Sequence, residues 1–253
     1  IVQQLAYAMS HVNEYFARGI VNSPVTFKIS TGSNYFFEIA KIRALRWLFK
    51  ILAEEYDLSS DCHIIAEPSI RNKTIYDYNA NMLRTTTESM AAILGGADTV
   101  CNLPYDSVYA KPNEFGERIA RNQLLILKNE SYFSQVYNPT DGAYYIETLT
   151  KELAEKALQK FKEIESDGGF LKLLKEGTIQ KEIVQSASIE QEKFNKGELV
   201  LVGTNVFQNF DNRMKDNLEL NPFQEKKFGQ TLVEPIIEKR LVSDLERKRL
   251  EDE

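Results

Sequence analysis

The chain has 253 residues, 43% of them hydrophobic, with 31 basic and 37 acidic side chains and a net charge of −6. That is ample apolar material for a buried core, and the acidic balance offers no electrostatic footprint for nucleic acid or an anionic membrane surface. No apolar run approaches the roughly 20 residues that span a bilayer. Two cysteines, Cys62 and Cys101, sit in short apolar runs and read as free, buried thiols of a reduced, cytoplasmic protein.

The first residues carry no initiator Met or basic leader and already show helical spacing at Ile1, Leu5, Ala8, Met9 and Val12. We therefore expect the sequence to begin inside a folded domain, with a helix to about residue 17. Asn22-Ser23-Pro24 breaks that helix before a strand over 25–30, and Gly32 marks the exit from the strand. A long helix follows at about 35–55, with Phe36, Ile39, Ile42, Leu45, Leu48, Phe49 and Leu52 on one broad stripe. A short strand at 63–66, a helix at 79–94 ending in Gly95-Gly96, and a strand at 98–103 come next. This alternation implies parallel strands joined by crossover helices, in a barrel or a doubly wound sheet.

After Pro112 the pattern is helical, over 115–128, 142–166, 169–175 and 178–195. A short extended piece is expected at 199–202, a polar loop at 205–221, and a charged amphipathic helix at about 232–251, with Ile236, Ile237, Leu241, Leu245 and Leu250 on one side. The chain divides into an α/β part (1–112), a helical extension (113–203) and a polar loop with a terminal helix (204–253).

Candidate chemistry is sparse. His11, beside Asn13 and Glu14 on the first helix, reads as a solvated residue, and His63 enters its strand from the N-terminal end, where barrel residues serve stability. No metal-ligand spacing occurs, and the paired glycines at 95–96 and 168–169 lack a phosphate-cradling pattern. Arg118 and Arg121 lie three apart on one helix, while Tyr144, Tyr145 and Glu147 follow a Pro-Thr-Asp-Gly turn. Together with Asn122 and Arg84 these suggest a polar structural network between tail and α/β part.

Four segments in fixed order carry a resemblance. They are G-S-N-Y-F-F-E-I-A-K-I-R-A at 32–44, N-M-L-R-T-T-T-E-S-M-A-A at 81–92, R-I-A-R-N-Q at 118–123 and N-P-T-D-G-A-Y-Y-I-E at 138–147, followed by L-V-G-T-N at 201–205. The chain resembles the methylmalonyl-CoA mutase family of coenzyme B12-dependent acyl-CoA mutases. The resemblance implies the C-terminal part of a (β/α)8 TIM barrel, about three parallel strands, followed by a mainly helical tail. In that family the barrel encloses the acyl-CoA along its axis, and adenosylcobalamin sits on the C-terminal mouth under a flavodoxin-like domain. Neither that domain nor its D-x-H-x-x-G motif is matched in these residues.

The same resemblance implies that this part of the chain does no chemistry and has no catalytic, cofactor-binding or metal-binding residues of its own. Pro24-Val25-Thr26 stands where catalytic subunits carry an Arg-Leu-Ser strand whose arginine pairs with coenzyme A phosphate. Glu67 stands where a glutamine contacts substrate and would repel a carboxylate, and Asp106-Ser107-Val108 replaces the D-E-A segment that lies against the corrin. The expected role is a non-catalytic small subunit in a heterodimer whose large subunit binds adenosylcobalamin. An active mutase chain with altered substrate, or a barrel-derived interaction module, are the alternatives. Three strands of an eight-stranded barrel also imply two open edges, an uncovered apolar inner face and self-association of the fragment.

Overall fold

The computed structural model describes residues 1–20, 24–223 and 229–253. Helix α1 (Val2–Ala17) precedes three strand–helix units: β1 (Val25–Thr31) with α2 (Tyr35–Glu55), β2 (Cys62–Pro68) with α3 (Ala80–Leu94), and β3 (Thr99–Val100) with α4 (Glu114–Asn129). The strands are parallel and adjacent in chain order, β1 against β2 from Val25–Cys62 to Thr31–Pro68, and β2 against β3 through Ile65–Thr99 and Ala66–Val100. This is the parallel, helix-connected layer of a partial TIM barrel, followed by a helical tail. Of the expected break at Asn22-Ser23-Pro24, Asn22 and Ser23 lie outside the described residues.

One face of the layer is packed. Phe27, Cys62, Ile64 and Ala66 point into a core with Leu5, Met9 and Phe16 of α1 and Ile42, Leu45, Leu48 and Phe49 of α2. From the far side Leu153, Ala154 and Ala157 close it; they belong to α5 (Tyr144–Ser166). Positions three, four and seven apart lie on one side of a helix, so one stripe per helix suffices to fill the space. Then α6 (Phe170–Lys175) and α7 (Thr178–Asn195) build a satellite core of Phe170, Leu173 and Ile179 against Ala6 and Ile164.

The opposite face differs from expectation. Alternation puts Thr26, Lys28 and Ser30 of β1 beside His63, Ile65 and Glu67 of β2 and Thr99 of β3. This face is polar where an apolar one was expected, and Lys28 Nζ and Glu67 Oε1 pair across it at 3.0 Å. Barrel interiors are ordinarily filled by bulky branched residues.

Four further expectations need correction. The third strand covers Thr99–Val100 instead of 98–103, because the side chain of Asp98 accepts the Ile64 amide (2.7 Å), that of Asn102 accepts the Leu103 amide (2.9 Å), and Pro104 has no N–H to donate. The terminal helix, α8 (Ser243–Glu251), starts eleven residues later than expected. Pro235 disfavours a helix before it, and the chain there turns its backbone outward: Gln180 donates to the Glu234 carbonyl, and the Leu241 amide donates to that of Arg71. Finally, Cys101 is exposed; only Cys62 is buried. The extended piece at 199–202 reduces to one bridge between Val202 and Val206.

Candidate functional site

In parallel α/β layers, ligands gather at the C-terminal ends of the strands. Here that rim is formed by the segment 69–79 after β2 and 101–113 after β3. The rim is polar, and most of its buried polar groups bond to one another, although the buried Ser107 hydroxyl has no partner among the described residues.

Lys73 is fully buried. Its ammonium donates to both oxygens of Glu88 (3.0 and 2.8 Å), to Asn72 Oδ1 (2.7 Å) and to the Ser69 carbonyl (2.8 Å). Asn72 Nδ2 donates in turn to Glu88 Oε1 at 2.6 Å. Glu88 reaches this place because α3 presents Asn81, Thr85, Glu88 and Ser89, a polar stripe at helical spacing, to the interior. Burial pushes the Lys73 ammonium down and the Glu88 carboxyl up, each toward its neutral form, and their mutual attraction opposes both shifts.

Two further groups extend the network. Asn81 accepts from the Thr74 amide and donates to the carbonyls of Thr74 and Tyr105, so it ties the first rim segment to the second. Gln123 of α4 donates to the Met82 carbonyl (2.6 Å) and accepts from Asn102 Nδ2 (2.9 Å), which ties α3 and α4 to the end of β3.

The C-terminal tail then covers the rim. Glu246 of α8 accepts the Ile75 amide (2.9 Å) on one oxygen and Arg240 (2.6 Å) on the other, and Arg240 also donates to the Lys73 carbonyl at 3.0 Å. All of Glu246 is out of solvent, and burial pushes its carboxyl up despite the neighbouring guanidinium. Glu253 accepts from Tyr76 Oη and from the amides of Met214 and Lys215. Beneath these, Ile75, Tyr76, Val108, Tyr109 and Met214 form an apolar cluster. The Tyr109 carbonyl accepts the amides of Glu219 and Leu220, so the tail is fastened to the end of the segment after β3.

The residues singled out from sequence are placed as follows. Arg84 joins the rim, donating to Thr74 Oγ1, Asn81 Oδ1 and the Val202 carbonyl. Glu147 pairs with Arg43 at 2.7 Å, a partner that sequence reading missed, and Arg43 also holds Asp141 and Thr140. Tyr145 stands edge-on to Phe36 at 5.6 Å, and Tyr144 is 91% exposed. Arg118 and Arg121 are exposed, with no side-chain partner among the described residues, and half-buried Asn122 has no side-chain hydrogen bond there. The structure therefore does not join these seven into one network: α4 turns Ala120 and Gln123 inward, which forces its arginines outward. His11 is exposed and meets Tyr15 Oη at 2.9 Å; His63, also exposed, meets Thr99 Oγ1 at 2.9 Å. Lys73, Arg240 and Glu246 escaped sequence reading: the tail reaches the rim across 167 residues from Arg240 to the Lys73 carbonyl and 171 from Glu246 to the Ile75 amide, although Glu246 is only 6 residues from Arg240 and Glu88 15 from Lys73.

The methylmalonyl-CoA mutase family model matches residues 1–249. The chain belongs to the methylmalonyl-CoA mutase family. It is 35% identical to the methylmalonyl-CoA mutase small subunit of Porphyromonas gingivalis over 266 aligned positions, covering 100% of this chain and 43% of the relative. The methylmalonyl-CoA mutase of Rhizobium meliloti is 32% identical, with 91% of this chain and 35% of the relative covered. A large subunit, that of Propionibacterium freudenreichii subsp. shermanii, is also 32% identical over 73% of this chain and 26% of its own length. The chain thus spans less than half the length of these mutase-family relatives. At the rim, Glu67 meets Lys28 instead of standing free, Asp106 accepts from Asn113 Nδ2 (2.7 Å), and Val108 is buried.

Proposed function

We propose that the chain is part of a non-catalytic small subunit of a methylmalonyl-CoA mutase heterodimer. It supports a large subunit that binds adenosylcobalamin and interconverts methylmalonyl-CoA and succinyl-CoA. The observation that carries this reading is the rim itself: the buried polar groups of Lys73, Glu88, Asn72 and Asn81 are paired internally, and a segment of the same chain is fastened to it through Glu246, Glu253 and the Tyr109 carbonyl.

The residues present do not fit the cofactor. The segment that stands in place of the family's corrin-facing D-E-A is fastened to the tail: the Tyr109 carbonyl accepts the amides of Glu219 and Leu220, and Val108 lies in one apolar cluster with Met214. A reducing, cytoplasmic setting accords with free thiols at Cys62 and Cys101.

The test is co-expression of the full natural chain with a candidate large subunit, followed by size-exclusion chromatography and a mutase assay with adenosylcobalamin. The two polypeptides are expected to elute together. Calorimetry of the small polypeptide alone is expected to give no heat with adenosylcobalamin or an acyl-CoA. A micromolar dissociation constant for either ligand would overturn the non-catalytic reading.

A further inference from the structure

We infer that Asp167–Gly168, in the turn between α5 and α6, is a site of spontaneous covalent modification at which aspartate isomerises to isoaspartate. Asp-Gly steps favour this chemistry because glycine puts no Cβ in the way of ring closure. The glycine amide nitrogen attacks the aspartate Cγ; a C–N bond forms, the Cγ–O bond breaks, and the amide proton and the carboxyl hydroxyl leave as water. Water then adds to the resulting five-membered succinimide. Opening at Cγ restores aspartate, whereas opening at the backbone carbonyl leaves the chain running through the side chain as isoaspartate. Nothing is oxidised or reduced, and solvent is the only co-reactant.

The sequence holds two such steps, Asp141–Gly142 and Asp167–Gly168, and all four residues are exposed. Their surroundings differ. At the first, Arg43 Nη1 donates to Asp141 Oδ1 (2.5 Å), the Gly142 amide donates to Glu147 Oε1 (3.1 Å), and Arg43 Nη2 holds that same oxygen at 2.7 Å. The electrophile and the nucleophile are thus tied to one guanidinium, and ring closure must turn both out of this clamp.

At the second step the Asp167 carboxylate has no partner among the described residues, and the Gly168 amide donates to the Glu165 carbonyl at 3.2 Å. Lys172 Nζ donates to the Asp167 carbonyl at 2.9 Å. That carbonyl shares a peptide unit with the attacking nitrogen, so an ammonium on its oxygen acidifies the N–H and stabilises the amidate that attacks. A Cβ on residue 168 would stand 2.6 Å from Lys172 Cδ, so the glycine is what lets Lys172 lie across this peptide. The product carries one more backbone atom in a turn whose Gly169 amide donates to the Ile164 carbonyl and whose Leu171 amide is capped by Glu14 of α1.

The experiment incubates the full natural chain at neutral pH in water enriched in oxygen-18 and follows both steps by peptide mass spectrometry. Each passage through a succinimide leaves one solvent oxygen in the residue, and isoaspartyl peptides separate from aspartyl ones by chromatography. In the folded chain, label and isoaspartate are expected at Asp167 at least fivefold faster than at Asp141, and in urea the two rates should converge. Lys172→Met is expected to slow Asp167 about threefold, Lys172→Arg to keep most of the rate, and Arg43→Gln to speed Asp141 while leaving Asp167 unchanged. Equal or reversed rates in the folded chain overturn the inference, as does a preference for Asp167 that persists in urea, where only local sequence remains. An unchanged Asp167 rate in folded Lys172→Met overturns the activation by Lys172. Should either variant fail to fold, the comparison of the unmodified chain with and without urea still decides.

Discussion

Lys73 Nζ lies 2.8 Å from Glu88 Oε2, and neither side chain is more than 1% exposed. Two opposite charges withdrawn from water are stable only as a pair, since the desolvation of each is offset by the other and by the bonds from Asn72 and to Ser69. Lys73→Met leaves a buried carboxylate alone and is expected to cost about 3–5 kcal/mol. Lys73→Met/Glu88→Met removes both charges and is expected to cost less than the single change. Urea unfolding of the three proteins decides it, and additive losses in the double variant would show that the pair is not coupled.

Arg240 and Glu246 fasten the tail in a similar way, and this attachment has a predictable pH dependence. Burial raises the Glu246 carboxyl in the folded state, so what this group costs the fold is smallest when it is protonated and grows as pH rises through the folded value. Arg240→Met removes the ionic partner and leaves mainly the Ile75 amide. Its stability deficit is expected to be larger at pH 8 than at pH 5, with faster proteolytic cleavage between 205 and 238 at the higher pH. A deficit that grows on acidification would contradict the assignment.

The parallel layer was legible because its signals are local. Val25, Phe27 and Ile29 alternate with Thr26, Lys28 and Ser30, α2 carries an apolar stripe, and Gly95-Gly96 closes α3. The rim was not legible because its partners are remote: Ile75 and Glu246 are 171 residues apart, and Asn81 owes its role to Tyr105. For the terminal helix, apolar spacing at Ile236, Ile237 and Leu241 outweighed Pro235, although the proline carried the correct information. The arginines of α4 were visible, but which way they face depends on how Gln123 is used.

Asp98 supplies an acid-sensitive contact at the other end of the strands. Burial pushes its carboxyl up, but the bonds from Arg46 and the Ile64 amide together outweigh that and hold it below its ordinary value of 3.8. A depressed folded value means that the stabilisation is present above the unfolded value and lost as pH falls through the folded one. Asp98→Asn is therefore expected to flatten the fall in melting temperature below about pH 4, the range of an ordinary aspartate. Parallel melting curves for the two proteins from pH 3 to 7 would refute this.

The two glycines that close α3 should fail for different reasons. Gly95 has φ −76°, which any residue adopts, but a Cβ there would stand 3.0 Å from Ile42 Cβ and 3.1 Å from the Ile39 carbonyl. Both neighbours belong to buried turns of α2 and cannot yield freely, so Gly95→Ala is expected to cost about 1–3 kcal/mol through overpacking. Gly96 meets nothing within 4 Å, but its φ of +84° is left-handed, and Gly96→Ala is expected to cost about 1–2 kcal/mol through the backbone. Asparagine separates the two causes, because it tolerates left-handed backbone better than alanine while being larger. Gly96→Asn should be milder than Gly96→Ala, and Gly95→Asn worse than Gly95→Ala. If asparagine shifts the thermal midpoint in the same direction relative to alanine at both positions, the approach of α3 to α2 is not as close as these distances require.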